Sequence, residues 1–103
     1  MEQARGLLKR LIDKPLYTIT QEKLNLVRTV EGDYAYVERE QSGRVPIADV
    51  QAAIDALYRD GKLRINKATL GHSNTAFVGA VLRELPNVEV LVRPQRVRIS
   101  GRA

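Results

Sequence analysis

The chain has no cysteine, no tryptophan, and a single histidine, methionine and phenylalanine among its 103 residues. Without cysteine there are no disulfides and no thiolate-bound zinc, and a metal held by His72 would need a carboxylate cluster that the sequence does not offer. No metal and no cofactor is expected. No apolar run reaches the ~18 residues needed to span a bilayer, and residues 1–5 lead into a stretch too short and too charged for a secretory signal. The expectation is therefore a cytoplasmic protein with no membrane partner. Catalytic signatures are missing as well. No Ser-His-Asp set, Gly-rich phosphate loop or close carboxylate pair in an apolar setting can be assembled, and Gly71-His72-Ser73-Asn74 is not a nucleotide fingerprint. A non-enzymatic module is expected.

Negative charge is scarce in one place. The last 42 residues hold eight Lys and Arg against only Glu84 and Glu89, whereas residues 1–61 carry nine cations and ten carboxylates. The net +5 and the pI of about 9.9 therefore come from one segment. Gathered on one surface, that segment suits an anionic partner, which inside a cell is DNA or RNA before it is a membrane.

At 103 residues and 44% hydrophobic, one core and one domain spanning residues 1–103 are expected. In residues 3–13, Leu7, Leu8, Leu11 and Ile12 make one helical stripe that Pro15 should end. Residues 18–30 and 34–40, joined by Glu31-Gly32-Asp33, read as an additional N-terminal hairpin. Residues 41–44 read as a loop dividing a helix-plus-hairpin part (1–40) from a helix-strand-helix-wing part (45–100). Pro46 suits a helix start, and Ile47, Val50, Ile54 and Leu57 recur at helical spacing up to Gly61, which is placed to stop the helix. Residues 62–66 alternate as a short strand and a loop runs through Gly71. Ser73 or Asn74 can cap a helix burying Phe77, Val78, Val81, Leu82 and Leu85. Residues 88–93 and 96–100 read as two strands with Val88, Val90, Val92, Val97 and Ile99 inward and Arg93, Arg96 and Arg98 towards water.

This is an α+β chain whose second part has the element order of a winged helix: three helices, a short strand and a C-terminal two-stranded wing. In such an arrangement the last helix enters the major groove by its N-terminal end while the wing tip lies by the backbone. The candidate DNA-binding residues are then Arg64, Lys67, His72, Ser73, Asn74, Thr75, Arg83, Arg93, Arg96 and Arg98. Each has a plainer role: solvated charge for the basic residues, capping for Ser73, Asn74 and Thr75, and a loop position for His72. Ala76, Gly79 and Ala80 form a smooth face that suits close approach of DNA backbone, another helix or another protein. Tyr34 and Tyr36 share a strand face, suiting either core packing or stacking on bases.

The stretches 45–61 and 69–82, with 20–25 and 33–37, resemble a winged-helix module associated with modification-dependent restriction endonucleases. That resemblance covers most of the chain but rests on patterns of small and apolar residues. It implies a targeting module for double-stranded, chemically modified DNA, working with a nuclease as partner or fused domain. The alternatives left open are a protein-interaction module and an RNA-binding domain. The sequence does not give the oligomeric state.

Overall fold

The computed structural model describes residues 2–19, 23–38, 43–71, 74–92 and 95–99, with backbone only for Val92 and Gln95. They form a small α+β domain with two antiparallel sheets and four helices. The element order is α1 (Glu2–Arg10), β1 (Leu16–Tyr17), β2 (Leu24–Glu31), β3 (Tyr34–Glu38), β4 (Gly43–Pro46), α2 (Ile47–Asp60), β5 (Lys62–Arg64), α3 (Lys67–Leu70), α4 (Thr75–Leu82), β6 (Val88–Val92) and β7 (Gln95–Ile99).

The expected N-terminal hairpin is the centre of a larger sheet, ordered β1-β2-β3-β4. Gly43 and Arg44, read as loop, open β4, which pairs with β3 and buries Val45 completely. Burial of that one valine outweighs the loop propensity of its neighbours. Arg28 is the extra residue of a bulge, since the register passes from Val27↔Val37 to Thr29↔Tyr36. From that position its guanidinium bonds Asp13 (2.7 Å) and Glu38, hydrogen bonds that hold it more firmly protonated than a free arginine, Asp13 foremost. Glu38 is thus an ion-pair partner of Arg28 across β2 and β3.

Helix α1 packs Ala4, Leu7 and Leu8 against α2 and β2. It ends at Arg10, earlier than Pro15 would dictate, because Asp13 takes a left-handed φ of 61° and donates its amide to Val27 O at 2.9 Å. Ile12, expected in the buried stripe, is consequently more than a third exposed. Helix α2 follows its sequence pattern, burying Ile47, Val50, Ala53, Ile54 and Leu57, and stops at Gly61 with φ 77°. A positive φ there suits a residue without Cβ.

The expected loop between the short strand and the last helix contains a one-turn helix, α3. Asn66 Oδ1 accepts the Thr69 amide at 2.7 Å, and Gly71, at φ 79°, donates its amide to Lys67 O at 2.8 Å. A cap at each end closes a helix of only four residues, which makes four helices where three are expected. Helix α4 is shorter than its pattern suggests and ends at Leu82, after which Glu84 and Leu85 close tighter turns on Val81 O and Leu82 O.

The second sheet is ordered β5-β7-β6. Leu63 and Val97 are buried, and Val88, Val90 and Ile99 pack partly buried against the same core, which α2 and α4 cover from the other side. Among the described residues, no helix is long and apolar enough to cross a membrane.

Candidate nucleic-acid interface

Strand alternation fixes what the second sheet presents outward. Leu63, Val97 and Val90 face the core, so Lys62, Arg64, Arg96, Arg98, Glu89 and Leu91 share the opposite face. Cross-strand register sorts them into two rows: Lys62, Arg98, Glu89 and Arg64, Arg96, Leu91. Four cations thus stand on one solvent-facing surface beside a single carboxylate. Arg64 and Arg96 are direct partners, as are Lys62 and Arg98. Like charges set opposite each other weaken a sheet, so this face carries a standing electrostatic cost that a polyanion would relieve.

Part of that charge is already engaged within the domain, at Arg96 as well as at Arg98. Arg98 donates from Nε to Glu89 Oε2 at 2.7 Å and forms an ion pair with it across β6 and β7. Arg64 and Arg96, together with Asp60, Lys62, Leu63 and Thr69, line an open groove of about 630 Å³ between the sheet and α3. Asp60 is itself engaged by Arg59, whose Nε lies 3.2 Å from Oδ1. That hydrogen bond, helped by the charges of Arg59 and Lys62, holds the Asp60 carboxyl below its ordinary range. Lys67 is exposed at the start of α3, but it stands about half a helical turn from Thr69 and so on the other side of that short helix from the groove.

The other expected site residues fall differently. His72, Ser73 and Arg93 lie outside the described residues. Asn74 is the N-cap of α4 by position, accepting the Val78 amide on its backbone carbonyl at 3.0 Å, but its side chain makes no capping bond. Capping by side chain belongs to Asn66 instead. Thr75 opens α4 and is half-buried. Arg83 stands at the far end of that helix, where its guanidinium donates to Tyr17 O at 3.1 Å. Nine residues at 1.5 Å rise put it roughly 13 Å from the helix start, so Arg83 belongs to the β1 contact rather than to the surface at Asn74.

Helix α4 buries Phe77, Val78, Gly79, Ala80, Val81 and Leu82. The smooth face expected at Ala76, Gly79 and Ala80 is therefore spent inside the domain, with only Ala76 of the three exposed. Tyr34 and Tyr36, for which core packing was an option, lie on the outer face of the first sheet. Tyr36 is exposed and Tyr34 half-buried, with the Arg44 guanidinium 4.3 Å from its ring centre.

Lys62 is absent from the set that the sequence suggests, although the alternation of residues 62–64 already sets it on the side of Arg64. What the sequence could not give was the pairing of β5 with β7, which brings both beside Arg96 and Arg98. The chain matches no family model, no curated protein and no solved structure.

Proposed function

We propose that the chain is a non-catalytic, winged-helix-like module that binds duplex DNA through the outer face of β5-β7-β6 and the adjoining α3, and that targets DNA for a nuclease acting as partner or fused domain. The element order α2-β5-α3-α4-β6-β7 fits a winged helix, with α3 and α4 as the helix-turn-helix pair and β6-β7 as the wing. One observation carries the reading: Lys62, Arg64, Arg96 and Arg98 lie in cross-strand register on one solvent-facing sheet surface, where Glu89 is the one carboxylate among the described strand residues and Asp60 stands at its margin.

Sheet cations spaced about 6.6 Å along a strand and 4.8 Å across it can each meet a backbone phosphate. The same face bears no aromatic side chain, and aromatic stacking is what platforms for unpaired strands and RNA loops rely on. That favours duplex over RNA. Burial of Gly79 and Ala80 takes away the docking face that a protein-interaction module would have used.

Phosphate contacts position a protein without reading sequence. Base or modification reading falls to the start of α4, where Asn74 is chemically suited to the N6 and N7 edge of adenine and Thr75 to phosphate or base. Fluorescence anisotropy with plain and methylated duplexes of one sequence, at two ionic strengths, tests both parts. Binding that weakens steeply with salt is expected, with a preference between the duplexes. Salt-independent binding would remove the polyanion face, and equal affinities would remove the modification sensing.

A further inference from the structure

The four outer edges of the two sheets are not alike. In β1 the edge is two residues long; β4 ends in Pro46; β5 is three residues long and carries Lys62 and Arg64. Short length, proline and lysine are the devices by which proteins keep an edge from pairing with another chain. Strand β6, Val88-Glu89-Val90-Leu91-Val92, has none of them: five residues, four of them aliphatic, and one charge that is bridged to Arg98. It lies at the end of the β5-β7-β6 order, and among the described residues no strand pairs with its far side.

Which backbone groups that edge presents follows from one hydrogen bond. The Ile99 amide donates to Gly61 O at 2.9 Å, on the β5 side of β7. Backbone groups alternate sides along an antiparallel strand, so Val97 also faces β5, whereas Arg96 and Arg98 face β6 and exchange bonds with Leu91 and Glu89. The N–H and C=O groups of Val88, Val90 and Val92 therefore point away from β7, into the open edge.

We infer that β6 pairs antiparallel with β6 of a second copy of this chain about a two-fold axis at Val90. The strand has the symmetry this needs. Only centring on Val90 engages all five residues, setting Val90 against Val90, and Val88 against Val92, of the second copy through their outward groups. That register places Glu89 opposite Leu91, whereas centring one residue earlier would set Glu89 against Glu89, a like-charge pair. An isologous contact of this kind closes on itself as a dimer. It joins the two three-stranded sheets into one of six strands and sets their basic faces on the same side. The contact is small, so its affinity is of micromolar order, and it forms without nucleic acid.

Three variants of the full chain, followed by sedimentation velocity over a concentration series, test it. Val90→Pro removes an outward N–H without breaking a β6-β7 bond and is expected to be monomeric with an unchanged far-UV circular dichroism spectrum. Leu91→Glu sets Glu against Glu89 twice across the axis, and a several-fold weaker dimer is expected; within one chain the same residue sits beside Arg96 and does not disturb the fold. Leu91→Lys faces Glu89 and is expected to dimerise at least as well as wild type. A wild-type chain that stays monomeric to millimolar concentration overturns the inference. So does equal behaviour of the Glu and Lys variants, which tests the register even if the proline variant fails to fold.

Discussion

Replacing Lys62 and Arg64 together by glutamine puts the basic sheet face to a quantitative test. Both side chains are exposed on β5, and each faces another cation, Arg98 and Arg96 respectively. If Lys62, Arg64, Arg96 and Arg98 each neutralise one phosphate, the last two exchanging their contacts within the domain for it, then log affinity for a duplex falls against log salt with a slope near −3.6, from about −0.9 per contact. The double variant should reduce that slope to about −1.8. Because the lost contacts matter least near 1 M salt, the same arithmetic gives a roughly 60-fold weaker affinity at about 0.1 M. Stability should hold within about 0.5 kcal/mol, since two surface like-charge oppositions disappear along with the charges. Anisotropy titrations between low and moderate salt, with a urea melt on each protein, deliver all three quantities. A wild-type slope left intact in the variant, or an affinity loss matched by a comparable loss of stability, would refute the assignment of these side chains to phosphate.

Asn66→Ala should cost about 1 kcal/mol by orphaning the Thr69 amide, seen as a lower melting temperature and faster amide exchange in α3. Phe77→Ala, at a position sealed from solvent, should cost about 3–5 kcal/mol, a large part of the ~5–15 kcal/mol holding a domain of this size, as a urea melt would measure. Asp60 should titrate below an ordinary aspartate by NMR because of its hydrogen bond to Arg59, and Arg59→Gln should move it back up. With its folded value depressed, Asp60 adds stability above the unfolded aspartate range that is lost as pH falls through the folded value. The effect should be small, since both side chains are exposed.

Helix α2 was legible in the sequence because its apolar period, its leading Pro46 and its trailing Gly61 agree with one another. The strands at residues 88–92 and 95–99 were legible for a similar reason, apolar and polar residues alternating on either side of Pro94 in the sequence. Helix α3 was harder to see. Its signal, Asn66 and Gly71 five residues apart, is a pair of caps with no periodic stripe between them, and a single turn is too short for periodicity to register. Strand β4 was missed because Gly43 and Arg44 look like loop residues, and only their partners in β3 make them a strand. Residues 74–85 show an apolar stripe, but burial of Gly79 and Ala80 depends on what packs on the other side of α4, which no spacing within the helix reveals.

The gathering of positive charge in the last 42 residues is a property of the sequence alone, as are the absence of cysteine and the inward alternation of Val88, Val90 and Val97. Which of those charges share a surface was decided by tertiary structure. Pairing of β5 with β7 set Lys62 and Arg64 beside Arg98 and Arg96, the Glu89 bridge took up Arg98, and the end of α4 carried Arg83 away to Tyr17. The physical reason is that a side chain's face follows from its local period, whereas its neighbours across a sheet depend on strands more than thirty residues apart in the chain.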